Sequence, residues 1–383
     1  MLAFSNSRLF SLLVIGQLFT GVTVVTCFAI RASFAVLWFP EDEVGISMGI
    51  NFLGSAVARI LAFTIPTNVL MSPKTYMTQI NCTLFASITA CTGLEEWKEY
   101  NLEKLNKIFS PLLFIALCVA VFLFLYISDL PPLPPTKAQA LKWDNQMLED
   151  QATFRNFLCS SFKLFTDKVY VSCALMYSLL EIIPLSEFIL MDQIFSDMLA
   201  KQRNSSMDEQ VISGYLMVCY CIAGAVGSLV GGRIADKAPH KLRNMLLIFG
   251  TFLTFLSVLG VLLSVLYSSV AGLFVSCGLF GFCSYVETIT LLVIITDHIY
   301  PTDESFAVTW LIGCVAAISL LGSEISRLIF TLTSPSGALI FHCCIVLFIV
   351  LISLPFKSSS RRNSFVSIQD DESVVLLPKQ RKP

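Results

Sequence analysis

The stretch GGRIADKAPHKLR, residues 231–243, sets Arg233, Lys237, His240, Lys241 and Arg243 around one acid, Asp236, between two long apolar runs. A carboxylate at a helix end can hold basic groups and backbone N–H groups across a helix pair. Such a network can latch one conformation of a moving bundle. A plain basic anchor on the cytosolic side of a membrane would use the same positive residues. Gly224, Gly227 and Gly231 fall roughly on one face of the preceding helix. Small residues there let another helix backbone approach closely, and Gly231-Gly232 makes a tight exit. The expected gate is therefore Gly232, Arg233, Asp236, Lys237 and Arg243.

A second chemistry lies inside the apolar runs. Arg59 stands in SAVARILAF, Glu287 in CSYVETITLL, and Glu324 and Arg327 three apart in SEISR, where they are placed to pair. Glu181 and Glu187 flank a weaker run. A charge at the centre of a bilayer costs about 2.5–3.5 kcal/mol on insertion scales, so each needs a reason. One is a cavity for a polar solute, with Gln17, Asn51, Arg59, Tyr285 and Glu287 on its pathway. The other is pairing between helices or snorkelling to an interface. A titratable Glu in a watery cavity is the simplest proton-coupling device, and Glu287 is the residue placed for it. No Walker A loop occurs, and no nucleophile and base are spaced for catalysis. A transport protein rather than an enzyme is expected.

The elements that position these groups are membrane helices. The 383 residues are 55% hydrophobic and only 14% charged, against roughly a quarter charged in soluble domains. The apolar residues come in blocks near the length of about 20 that one span requires. Nine spans are predicted, at roughly 10–37, 45–71, 108–128, 170–191, 211–232, 243–266, 269–297, 305–330 and 337–356. The fourth is the weakest, and the seventh is long enough to tilt or break. The net charge of −2 and the lack of a basic-aromatic pattern point away from nucleic acid. Most of the thirteen Cys lie in apolar runs and read as small hydrophobes. There is no CxxC pair, and His240, His298 and His342 have no ligand spacing with the cysteines. No metal and no cofactor is expected.

With the 232–243 bridge in the cytosol, alternating bridges put fifteen Lys and Arg on that side and seven on the other. That is the positive-inside bias. The sequons at Asn81 and Asn204 both fall on the outer side, as glycosylation requires. Cys82 and Cys91 share that side, where they could oxidise to a disulfide or stay free. The expected organisation is a partial N-terminal bundle of three helices (1–128), a cytosolic linker (129–169), a six-helix bundle (170–356) and a cytosolic tail (357–383). In the tail, Glu372 precedes Leu376-Leu377 by four residues, an acidic dileucine address for a sorting adaptor leading to endosomes or lysosomes.

The 231–243 bridge resembles the loop signature of major facilitator superfamily transporters, with Pro239 where the signature has a second glycine. Three further stretches resemble the feline leukaemia virus subgroup C receptor-related (solute carrier 49) family. They are VLWFPEDE at Trp38, Phe39, Pro40 and Glu43; DLPPLPPTKAQ at Pro131, Pro132, Pro134 and Pro135; and DHIYPTDES at Asp297, Tyr300, Pro301 and Glu304. INFLGS, through Asn51, Leu53 and Gly54, is similar to the disrupted-in-renal-carcinoma protein 2 branch. The choline- and haem-related branch carries an Asn-Gln pair where this chain has Ser55 and Ala56.

The resemblance implies an all-α facilitator fold of twelve helices, here beginning near the fourth and so lacking the first three. It implies a secondary carrier working by alternating access in a lipid bilayer, with no cofactor. It further implies a lysosomal membrane and a small organic solute, pyridoxine, to which the reading of Glu287 adds proton coupling. A choline-like or haem-like solute at another membrane, such as the plasma membrane, stays open, as does a transport-inactive shortened partner.

Overall fold

The computed structural model describes residues 7–40, 42–69, 89–126, 135, 154–201, 209–300 and 304–357. All regular structure among them is helical. In chain order the helices are α1 (Ser7–Trp38), α2 (Val44–Val69), α3 (Thr89–Tyr126), α4 (Phe154–Thr166), α5 (Lys168–Leu180), α6 (Ile182–Lys201), α7 (Glu209–Lys237), α8 (His240–Leu266), α9 (Val270–Ile299), α10 (Glu304–Leu332) and α11 (Pro335–Ser353).

Among the described residues, eight stretches are long and apolar enough to cross a bilayer, where nine are predicted over the whole chain. The expected span at 108–128 coincides with a shorter apolar run, Ser110–Phe122, inside α3. The long seventh span does not break. It forms the 30-residue α9, about 45 Å long, more than enough to cross a core of roughly 30 Å.

The weak fourth span is the one that breaks. It divides into α5 and α6 at Glu181. Pro184 supplies the cause: it has no N–H for the Leu180 carbonyl, and its ring crowds that carbonyl. The next bond, Leu185 N–H to the Glu181 carbonyl, is stretched to 3.4 Å.

The chain divides into two compact units. The first comprises residues 1–23 and 61–130; the second comprises 24–60 and 131–383. In the first, the apolar side chains of α1 and of the Ser110–Phe122 run are largely exposed, as membrane-facing surfaces are. In the second, α9 is the central helix, packing on α5, α7, α8 and α10. Its apolar window is 78% buried, against 33% for α10. The expected linker contributes α4 to this unit.

Short polar caps fix the helix entries. Asp167 accepts hydrogen bonds from the N–H groups of Val169 and Tyr170 at the start of α5, Ser269 from Gly272 at α9, and Ser334 from Gly337 at α11, with Pro335 at the first turn.

The α7 glycines behave as their spacing suggests. A side chain at Gly231 would meet the Val286 backbone at 2.8 Å, and one at Gly224 the Tyr285 ring at 2.7 Å; Gly227 lies against the Phe282 carbonyl. They form the seam that brings α7 onto α9.

Candidate functional site

The second unit holds a cavity of about 230 Å³ walled by α1, α2, α5, α6, α7, α9 and α10. This lies just below the usual range for small-molecule sites, so it suits a small solute. Five aromatic rings stand in its walls: Phe28, Phe52, Tyr177, Tyr220 and Tyr285. Phe52 and Tyr220 each set an edge against the Tyr285 ring, with centroids 5.9 and 6.0 Å apart. Phe28 meets Phe52 at 6.4 Å, and Tyr177 closes another side.

Charge enters this cavity at two points. Arg59 reaches in from α2 and donates to the Tyr285 hydroxyl at 2.5 Å. Glu181 faces the same space from the α5–α6 break. The break therefore does more than bend a helix: it delivers a carboxylate, and Pro184 itself lines the wall. Among the described residues no ion pair joins Arg59 and Glu181, although each feels the other's charge.

Arg31, on α1, lies beside an adjoining void that shares Phe28, Phe52, Tyr177 and Ile312 with the main cavity. Its guanidinium sits over the Phe28 ring at 4.1 Å and near the Phe52 ring at 5.5 Å, a cation–π arrangement. One nitrogen donates to Ser55 Oγ at 2.9 Å. Another, Nη1, is buried with no hydrogen-bond partner.

Of the five residues expected on the solute pathway, Arg59 and Tyr285 meet here. The other three lie elsewhere. Gln17 is exposed and belongs to the first unit. Asn51 lies one helical turn from Ser55, whose hydroxyl donates to the Asn51 carbonyl at 3.5 Å, and it does not line the cavity. Glu287 faces α8 rather than the cavity: it is 1% exposed and accepts from Thr254 Oγ1 at 3.1 Å, and its other oxygen has no partner. In the sequence Glu181 only flanks a weak span, and Arg31 stands at a span edge. Pro184, three residues beyond Glu181, is the available signal that the helix opens there.

The expected gate takes a definite form. Asp236 accepts from the Gly45 N–H at 2.6 Å and the Ile46 N–H at 2.8 Å, at the N-terminus of α2. These groups have no intrahelical partner, and the carboxylate sits at the positive end of the helix dipole. Close approach makes this possible: Gly232 lies against the Gly45 carbonyl, and a side chain at Gly49 would stand 2.6 Å from the Ser228 carbonyl. Arg233 and Lys237 stay exposed. Arg243 pairs instead with Asp297 of the DHIYPTDES stretch, and the next residue, His298, contacts Asp167 at 3.0 Å.

The other motif residues frame this end. Trp38 stacks on Phe34, and Phe39 meets Phe34 edge-on. Pro40 and Glu43 form a turn through Glu43 N–H to the Pro40 carbonyl at 3.0 Å. Tyr300 and Glu304 are buried at the α9–α10 junction. Glu324 and Arg327 do pair, at 2.7 Å, on an exposed face.

Pro301, Cys82, Asn81, Asn204, Glu372, Leu376 and Leu377 lie outside the described residues, as does the Cys91 side chain. Among the described residues no group of three His, Cys, Asp or Glu is placed to hold a metal ion.

The family model of the Major Facilitator Superfamily matches residues 108–322, more than half of the chain. The chain belongs to this superfamily. The solved fucose:proton symporter FucP of E. coli superposes on 85% of this facilitator and on 72% of its own chain, with a TM-score of 0.57 at 11% identity, which shows the shared fold. The facilitator is 22% identical to the choline/ethanolamine transporter FLVCR1 of Mus terricolor over 366 residues, 93% of this chain and 60% of that one. It is 22% identical to an uncharacterized MFS-type transporter of Caenorhabditis elegans over 315 residues, 79% of this chain and 47% of that one. It thus spans about half of these curated relatives. Membership in a transporter superfamily agrees with the expectation that the chain is not an enzyme.

Proposed function

We propose that this facilitator acts in secondary transport of a small ammonium-bearing organic solute, the class to which choline and ethanolamine belong. The observation that carries this is the aromatic cavity with Glu181 on its wall. Aromatic faces and a carboxylate are the groups that hold an ammonium in a dry site. The likeness to choline/ethanolamine transporters supports the same class. Alternating access would expose the cavity to each side in turn, with the Asp236 contacts to α2 holding one state.

A second reading, pyridoxine carried with protons across the lysosomal membrane, is favoured by Ser55 and Ala56. They stand where the choline-related branch has Asn-Gln, and Ser55 is engaged by Arg31. Glu287 is the proposed proton-bearing group, because changing the charge of a carboxyl so deeply enclosed would couple to helix packing. The dileucine at Leu376 and Leu377 is the proposed lysosomal address.

Uptake of labelled choline, ethanolamine and pyridoxine into sealed vesicles, with and without a proton gradient, tests both readings. Choline or ethanolamine uptake that falls at least tenfold in Tyr285→Ala is the expected result. Uptake of pyridoxine alone, with its pH dependence removed by Glu287→Gln and surface relocation on changing both leucines to Ala, would select the second reading. No uptake of any of the three overturns both.

A further inference from the structure

The charges around the cavity are not paired with one another. Arg59 and Glu181 line the cavity, and Arg31 lines the small void beside it that shares Phe28, Phe52, Tyr177 and Ile312. Among the described residues Glu181 is ion-paired with neither guanidinium, so the acid and the bases each lack an opposite charge of their own, which is costly in a membrane interior. The hydrogen-bonding capacity of the guanidiniums is also underused. Arg31 Nη1 is a buried donor with no acceptor. Arg59 meets a phenol at Tyr285, not a carboxylate. A buried donor left unmet is unfavourable, because it has lost its water without gaining an acceptor. Arg31 also occupies one face of the Phe28 ring, which leaves the wall that carries Glu181, with Tyr177 and Tyr220, as the place for an ammonium.

We infer that the solute of this cavity is a zwitterion: an ammonium toward Glu181 and the tyrosines, and a carboxylate or other small anionic group toward Arg59 and Arg31. This rests on the reading of the cavity as the solute site, and it narrows the ammonium class to members carrying their own counter-charge. Arg59 is the selecting residue, since its guanidinium can receive a carboxylate through two parallel hydrogen bonds.

Choline and glycine betaine make a matched pair of probes. Both carry a trimethylammonium head; one ends in a hydroxymethyl group and the other in a carboxylate. Binding of each to the purified full chain in lipid nanodiscs is measured by calorimetry, with pyridoxine as a third probe. Betaine is expected to bind at least tenfold more tightly than choline. Arg59→Gln should remove that preference by weakening betaine, and Arg59→Lys should restore part of it.

The wild-type ratio needs no variant, so the inference stays testable if a substituted protein does not fold. Choline binding as tightly as betaine or better overturns the zwitterion and leaves the carrier reading intact. A betaine preference that survives Arg59→Gln in folded protein also overturns it. Binding of none of the three probes overturns the cavity as solute site, and the inference with it.

Discussion

At the Gly45 end of α2, Asp236 meets two backbone N–H groups, Arg243 meets Asp297 and His298 meets Asp167. Fourteen residues further along the same helix, about 20 Å away, Arg59 meets only a phenol and the neighbouring Arg31 keeps a buried donor unmet. One chain thus satisfies charge with its own groups in one place and leaves it unsatisfied in another. The first arrangement fixes helices against each other. The second asks for something from outside. Matched charge at a helix end marks a latch, and unmatched charge in an aromatic box marks a solute site.

The largest effect is expected at the glycine seam that brings Asp236 to α2. Gly49→Leu would drive a side chain into the Ser228 carbonyl, where only backbone now fits. Overpacking of this kind costs about 1–3 kcal/mol and sometimes more. A side chain at Gly54, toward the cavity end of α2, would meet nothing within 4 Å. Gly54→Leu should therefore leave thermal unfolding in detergent nearly unchanged, while Gly49→Leu lowers it strongly or prevents recovery of monodisperse protein. Equal tolerance of both would mean that α2 and α7 do not cross closely, and the latch would lose its basis.

An intermediate effect is expected for Asp236→Ala. It strands the N–H groups of Gly45 and Ile46, each costing roughly 1–3 kcal/mol if it stays buried. Solute exchange should slow about tenfold or more while the protein still inserts into the membrane. Asp236→Asn keeps one acceptor and should fall between. Exchange at the wild-type rate in Asp236→Ala would reduce the contact to an anchor.

These two regions are not equally legible in the sequence. Gly232, Asp236 and the α7 glycines can be read because backbone approach demands small residues at fixed spacing, and a lone acid among bases has few uses. What the acid touches cannot be read: its partners are backbone groups on α2, 190 residues away in the chain, and Arg243 goes to Asp297. At the cavity, Arg59 is visible as a charge within an apolar run. Arg31 is hidden by its place near a span edge, and Glu181 by the weakness of its span. The aromatic walls are invisible for another reason. With 31 Phe in the chain, no spacing separates a solute-facing ring from a lipid-facing one; only packing does. Glu287 shows the reverse problem. A charge within a span does stand out in the sequence, but helix rotation aims this one at Thr254 instead of the cavity.

The smallest effect is expected at Glu324 and Arg327, and it is the control for the comparison. The pair has good geometry, with two hydrogen bonds at 2.7 and 2.9 Å. By distance alone it would rank with the Asp236 contacts. Its side chains are more than half exposed, however, at 52% and 58%. It lies five residues from the Leu332 end of α10, about 8 Å along the helix, within reach of the polar interface by snorkelling. An exposed i,i+3 pair contributes about 0.2–0.5 kcal/mol. Replacing both residues with Gln should therefore shift unfolding by no more than that, and leave exchange unchanged. A loss as large as that of Asp236→Ala would show that matched charge matters equally on the outer face and at the α2–α7 crossing. Burial would then not be what separates a latch from a surface pair, and the contrast between the two ends of α2 would have to rest on the unmet Arg31 donor alone.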